Sequence, residues 1–314
     1  MNASVLNVNA SYFYWNYNSN PLEQDVFEVR RILLVCFSVI VMFTNLMVVI
    51  AFITAYNLRD RIANYFILNL SINDFTTGFA NAIYFSLSSR PFFDRSIFCA
   101  IISGMQPTLY VSSFVSMSLV SLDRYIYITS PLHYHLRMTA IRVKAAIILS
   151  WVIPIIIVII IPNIVNLFYD VIEDHCSYVQ STSVTFTGPI TAIVTVLIML
   201  FTSVRILIEA RKQRRKITNQ VMTAAIPSTI IAKPAVEIRR LVNTVVLVLV
   251  FLVMWMPYVV VAATSMFTSQ KIAGLTLELV GSFIFLNSCI NPVLYAMNRD
   301  FKKAYLNIFC LKFV

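Results

Sequence analysis

The chain has 314 residues, of which 59% are hydrophobic and only 12% charged, with a net charge of +10. A soluble domain carries about 25% charged residues, so too little polar surface remains to cover a water-soluble globule, and the chain reads as a membrane protein. The basic balance would suit a nucleic-acid surface, but the placement of the charges, described below, excludes that use.

Residues 1–29 are polar and acidic, with no short apolar core of the kind a removable leader needs. Seven segments then meet the roughly 17–25 residues that span a hydrocarbon core. They are Ile32–Tyr56, about Asn64–Leu87, about Ser96–Ile128, Ala145–Phe168, about Val184–Leu207, about Leu241–Phe267 and about Ala273–Met297. Prolines interrupt them at Pro107, Pro154, Pro162, Pro189, Pro257 and Pro292, which spanning helices tolerate when neighbours satisfy the freed carbonyls. The expected fold is all-α: a seven-transmembrane helix bundle over 30–298, preceded by an exterior segment at 1–29. A short amphipathic cytoplasmic helix and tail follow at 299–314, with apolar residues at Phe301, Tyr305, Ile308 and Phe309. That stripe suits the surface of the inner leaflet. Cys310, at its end, is a palmitoylation candidate, with an unmodified thiol as the alternative.

Of the 24 Lys and Arg residues, only Arg30, Arg31, Arg90, Arg95 and Lys271 fall on the N-terminal side. The excess marks the opposite face as cytoplasmic and in contact with anionic lipid, so the N-terminus is expected outside. Sequons at Asn2 and Asn9 lie in that exterior segment and are glycosylation candidates. A third, at Asn69, falls inside a helix and is set aside. Cys99 and Cys176 both lie at the exterior side, where oxidising conditions favour a disulfide over two free thiols. Cys36 and Cys289 sit within helices as packing residues.

Polar groups inside the membrane are costly and mark function by default. Asp74 lies ten residues into the second helix. Asn45, Ser113, Asn287, Ser288 and Asn291 are its candidate companions, a set of oxygens suited to a sodium ion or to buried water. At the cytoplasmic end of the third helix stands Asp123–Arg124–Tyr125. A bridge from Arg124 to Glu237 would tie the third helix to the sixth and make a two-state element. Snorkelling of Arg124 to the headgroups is the other reading.

Asp123–Tyr125 (DRY), Asn291–Tyr295 (NPVLY), Met254–Pro257 (MWMP) and Leu68–Asp74 (LNLSIND) occur in this order, together with the Cys99/Cys176 pair. So assembled, the chain resembles the rhodopsin-like (class A) G-protein-coupled receptors over about residues 30–312, with Asn45, Trp151 and Pro189 matching further family positions. The resemblance implies a plasma-membrane, multi-pass receptor, not an enzyme, that binds an extracellular small molecule and activates a heterotrimeric G protein. Arg124 would hold Asp123 and Glu237 at rest and then turn toward the G protein. Asp74, Ser113, Asn287 and Asn291 would form the sodium pocket. Trp255 would be the aromatic switch, and Tyr295 would swing inward. Tyr125, Pro257 and Pro292 complete the switch motifs. Leu132, after Pro131, would fill a hydrophobic pocket on the G protein. Two departures stand out: Phe114, where Ile or Val is usual, and Leu197, eight residues after Pro189, where a tyrosine is common.

The seventh-helix tail looks most like the biogenic-amine and trace-amine receptors. These hold an ammonium with an aspartate eighteen residues before the DRY arginine. Here that position is Gln106, which cannot supply a charge-assisted bond, and Phe285 replaces a usual tyrosine. The expected contacts are Gln106, Ser181, Thr182, Thr185, Trp255 and Tyr258. Glu278 is a substitute counter-ion or a rim residue. The ligand is then amine-like or a neutral polar molecule. A short-peptide receptor and a non-signalling receptor-fold decoy are the alternatives.

No lysine lies between Lys271 and Lys302, against a retinal Schiff base. Five glycines and no repeat argue against a transporter.

Overall fold

The computed structural model describes residues 21–87, 97–160, 182–223, 228–268 and 274–309, with side chains for most of them. Eight principal helices follow one another. They are α1 (Pro21–Thr54), α2 (Ala63–Leu87), α3 (Ile97–Thr129), α4 (Ala140–Ile155), α5 (Thr182–Thr223), α6 (Ser228–Thr268), α7 (Gly274–Tyr295) and α8 (Arg299–Phe309). A π-helical turn at Ile156–Ile160 extends α4, and short turns at Tyr56–Arg59, Pro131–His133 and Tyr134–Arg137 join the inner ends. α3 is the central post, packed against α2, α4, α5 and α6, while α1 packs against α2, α7 and α8.

Three boundaries differ from the sequence reading. α1 starts at Pro21 rather than near Ile32; proline at a first helical position costs no hydrogen bond and presets φ. α5 runs to Thr223 and α6 begins at Ser228. Lys, Arg and Gln favour helix, and ARKQRRKITNQVMT (Ala210–Thr223) holds neither Gly nor Pro. A helix of 42 residues is about 63 Å long, twice a bilayer's apolar core of about 30 Å. α5 therefore carries Arg211–Lys216 well beyond the membrane.

Burial is inverted relative to a soluble protein. Ile148, Ile193, Leu197 and Val253 are exposed on the bundle's outside, while Asn45, Asn69, Asn73, Asp74, Asn81 and Asn291 are buried. Among the described residues, four stretches are apolar enough to cross a membrane on composition: Glu28–Thr54, Ala140–Ile160, Thr191–Asn219 and Leu241–Val261. α2 is missing from that set because its buried face is polar, and those polar residues bond across the bundle.

Proline and asparagine work together in this packing. Pro154 lacks an N–H, so the Ser150 carbonyl four residues earlier loses its helical donor; Ser112 Oγ donates to it at 2.9 Å, joining α3 to α4. Pro292 frees the Ser288 carbonyl in the same way, and Asn45 Nδ2 donates to it at 3.0 Å, joining α1 to α7. Asn69 Nδ2 bonds both Ser116 Oγ and Ser150 Oγ at 2.9 and 3.1 Å, and its Oδ1 accepts from Trp151 Nε1 at 2.8 Å. One amide thus fixes α2, α3 and α4.

α8 lies against the bundle. Phe301 and Ala304 are buried, Leu306 and Phe309 exposed, and Tyr305 and Ile308 pack at the edge of the core. Arg61, after α1, pairs with Asp300 at 3.6 Å, and Tyr305 Oη donates to the Pro292 carbonyl at 3.4 Å.

α1 and α2 approach closely at Gly78. A Cβ there would lie 3.0 Å from both the Ser38 carbonyl oxygen and Met42 Cγ. The backbone oxygen cannot step aside, so Gly78→Ala is expected to destabilise the protein by about 1–3 kcal/mol. The check is a lower melting temperature of purified protein and reduced surface expression.

Candidate functional site

Three polar or aromatic clusters lie along the bundle axis. The outermost is built on α2, α3 and α6. Gln106 Nε2 donates to Asn81 Oδ1 at 2.8 Å. One turn further in on α3, Tyr110 lies beside Asn81 and Tyr258 and meets Trp255 edge-on, with ring centroids 5.5 Å apart. Trp255 also meets Tyr258 edge-on at 6.1 Å. Below it, Phe114 contacts Trp255 at 4.5 Å and Phe251 at 5.1 Å. The larger ring at Phe114 therefore fills the space between these two aromatics, so the departure from Ile or Val is absorbed by packing. Edge-to-face pairs of this kind contribute about 0.5–1.5 kcal/mol each beyond burial.

The middle cluster surrounds Asp74. Ser288 Oγ donates to one carboxylate oxygen at 2.8 Å and Asn291 Nδ2 to the other at 2.9 Å, binding α2 to α7. Ser113 does not reach Asp74; its Oγ accepts from Asn73 Nδ2 at 2.6 Å. The amide oxygens of Asn45, Asn73, Asn287 and Asn291 are all buried without a donor. A buried region with surplus acceptors and one carboxylate fits a monovalent hard cation, or water, whose protons or charge would satisfy them. Among the described residues no three of His, Cys, Asp and Glu come together, so nothing supports a divalent site.

The innermost cluster holds Asp123 and Arg124. Asp123 Oδ1 accepts from Tyr134 Oη at 2.7 Å, and Oδ2 stands 3.6 Å from Arg124 Nε. Burial, and then the Asp123 charge, hold the Tyr134 phenol well above its usual range, so it is a donor at every physiological pH. Arg124 lines a cavity of about 60 Å³ with Arg61, Asn243, Asn298 and Tyr295. The Tyr295 hydroxyl is buried without a partner. Leu132 is 90% exposed on the turn that follows α3, as a docking residue requires. Tyr125 packs edge-on against Phe201. Pro257 and Pro292 both lie inside their helices, α6 and α7.

Leu197 does not face the bundle. It is 60% exposed, whereas Ser203, six residues on, is 4% exposed with an unpartnered hydroxyl. The inward face of α5 runs through Thr195, Met199, Thr202, Ser203 and Ile206, so counting from Pro189 selects the lipid face. Cys36 and Cys289 are unpaired.

Asn2, Asn9, Cys176, Ser181 and Cys310 lie outside the described residues, as do the side chains of Cys99, Thr182, Thr185, Pro189, Glu237, Glu278 and Phe285. Asn81, Tyr110 and Tyr134 were missed by sequence reasoning. Asn81 carried a signal, since it lies seven residues and two turns from Asp74 on the same face. Tyr134 carried none.

With this geometry in hand, the comparisons are decisive. The family model described as 7 transmembrane receptor (rhodopsin family) matches residues 44–295. The chain belongs to the rhodopsin family of seven-transmembrane receptors. It is similar to the trace amine-associated receptor 365 of Petromyzon marinus, 29% identical over 97% of this chain and 85% of that protein. The histamine H2 receptor of Cavia porcellus is 30% identical over 84% and 75%. The D(1A) dopamine receptor of Xenopus laevis is 24% identical over 93% and 76%. The protein is thus a G-protein-coupled receptor related to the biogenic-amine group: a multi-pass plasma-membrane protein that signals through a G protein on binding a small ligand, and not an enzyme.

Tyr134→Phe deletes the hydrogen bond that Tyr134 donates to Asp123 Oδ1 and weakens the satisfaction of a buried carboxylate, at a cost of about 1–3 kcal/mol. The expected result is a lower melting temperature with raised basal G-protein activation, read by nucleotide exchange on reconstituted receptor.

Proposed function

We propose that this receptor, with its N-terminus outside the cell, takes a small polar ligand between α3, α5, α6 and α7, and that Gln106 reads it. The observation that carries the proposal is the Gln106–Asn81 bond. At the position where amine receptors hold an aspartate, this chain puts a neutral amide already engaged to a second amide. Trp255 and Tyr258 are the aromatic wall. Ser181, Thr182 and Thr185 are the α5 contacts, and Glu278 and Phe285 the α7 contacts. Relatives named for trace amines, histamine and dopamine support a small aromatic compound over a peptide.

Ligand contact at Trp255 would repack Phe114 and Phe251 and so move α6 against α3. The Asp123–Arg124 pair and the small inner cavity would then open to the G protein, with Glu237 released from Arg124 and Tyr295 turning inward. Asn2 and Asn9 are its proposed glycans, Cys99–Cys176 its outer disulfide and Cys310 its lipid anchor.

The test is a G-protein-activation screen of aromatic amines and their neutral relatives. Substituting Gln106→Ala or Tyr258→Ala is expected to weaken the active compound's potency at least about tenfold. Arg124→Ala is expected to abolish the response at equal surface expression. An active compound indifferent to Gln106 and Tyr258 would remove this site.

We also assign sodium to the Asp74 cluster, held by Asp74, Asn287 and Asn291, and by Ser113 once it exchanges its Asn73 bond for the ion, with charge neutralisation supplied by the ion. Replacing sodium with N-methylglucamine is expected to lower the wild-type melting temperature and to leave Asp74→Asn unchanged. A wild-type protein insensitive to the exchange contradicts the assignment.

A further inference from the structure

Asn81 is fully buried, and its Nδ2 has no acceptor. Its Oδ1 is occupied by Gln106 Nε2, and the Tyr110 side chain lies beside it. A second buried donor, Trp255 Nε1, is also unpartnered, on the far side of Tyr110. Buried donors without acceptors are costly, so two of them in one cluster specify what is missing: acceptor oxygen. Gln106, having used one N–H on Asn81, keeps its Oε1 as an acceptor with no partner among the described residues.

Neither sign of charge is matched among the described residues of this cluster. Among the described residues of this cluster there is no carboxylate for an ammonium; Asp74 lies two turns deeper, engaged by Ser288 and Asn291. Among the described residues of this cluster there is no cation for a carboxylate either. Arg31, at the outer end of α1, is paired with Glu28 at 2.6 Å. An ammonium also offers only donors and would leave the Asn81 amide unmet.

We propose that the ligand read by this site is a neutral amide attached to an aromatic ring, and that Asn81, with Gln106, determines this specificity. The ligand carbonyl accepts from Asn81 Nδ2, its N–H donates to Gln106 Oε1, and its ring stacks within Tyr110, Trp255 and Tyr258. The Gln106–Asn81 pair then acts as one complementary amide edge. The proposal rests on the ligand-site reading above and adds the chemical class and Asn81.

Three probes of the same shape decide it: phenylacetamide, phenethylamine and phenylacetate. Their affinities are measured by competition-free NMR saturation transfer and thermal shift on purified full-length receptor in nanodiscs. Wild type is expected to prefer phenylacetamide over both ions at least about tenfold. Asn81→Leu is expected to remove that preference, and Gln106→Glu to shift it toward phenethylamine. Asn81→Asp, nearly isosteric, guards against loss through misfolding and is likewise expected to gain phenethylamine affinity. Wild-type preference for phenethylamine or phenylacetate, with sensitivity to Gln106→Ala and Tyr258→Ala, overturns the amide proposal and leaves the site intact. A phenylacetamide preference unaffected by Asn81→Leu overturns the role of Asn81. Binding indifferent to Gln106, Tyr258 and Asn81, or no binding of any probe, overturns the proposal; indifference also overturns the site itself.

Discussion

Inside a bilayer no bulk water is at hand to satisfy a backbone group, so a carbonyl freed by a proline is met by a neighbouring helix, an ordered water or a local change of helix geometry. This constraint organises the receptor. Pro292 opens α7 at Ser288, and Asn45 of α1 closes the gap. Pro154 opens α4 at Ser150, and Ser112 of α3 closes that one. Each of these two prolines therefore does more than bend its helix: it exposes an acceptor that another helix meets. The bond made in this way joins two helices at a defined register, which non-directional packing against lipid-like side chains cannot do.

Two further sets of contacts run along the bundle axis. Asp74 holds both Ser288 and Asn291 on α7, one turn above the buried, unpartnered hydroxyl of Tyr295. From the outer side, the aromatic chain Tyr110–Trp255–Phe114–Phe251 runs from the Gln106 cluster into the core beside α6. Both routes end at the small cavity lined by Arg124 and Tyr295. Bonds of this kind break and re-form discretely, so a modest push at the outside is answered by a change of partners and not by gradual bending.

Much of this was visible in the chain itself. Seven long apolar segments, the basic bias and Asp74 amid asparagines suffice for the bundle, its spans and its polar centre. The DRY and NPVLY stretches mark the inner cluster where Arg124 and Tyr295 line one cavity. What stayed hidden depends on helix rotation and on contacts distant in sequence. Leu197 was counted from Pro189, and a count along a helix fails once the inward face is set by Thr195 and Ser203 instead. Tyr134 reaches Asp123 only because the turn after α3 folds back. Ser113 shares a helix face with the sodium-pocket reading but is claimed by Asn73, a competition no spacing reveals. The lengths of α1, α5 and α6 were underestimated because a hydropathy window stops where charge begins, whereas a helix stops only where its backbone must.

The central claim is that cross-helix bonds to proline-freed carbonyls hold the resting arrangement. The most direct test is the distance between spin labels at Thr129 on α3 and Val242 on α6, both exposed at the Arg124 end of the bundle, in wild type and in Asn45→Leu, which removes the donor to Ser288. The account predicts one short distance in the unliganded wild type and a second, longer population in Asn45→Leu. Superimposable distance distributions in a folded Asn45→Leu protein would contradict it.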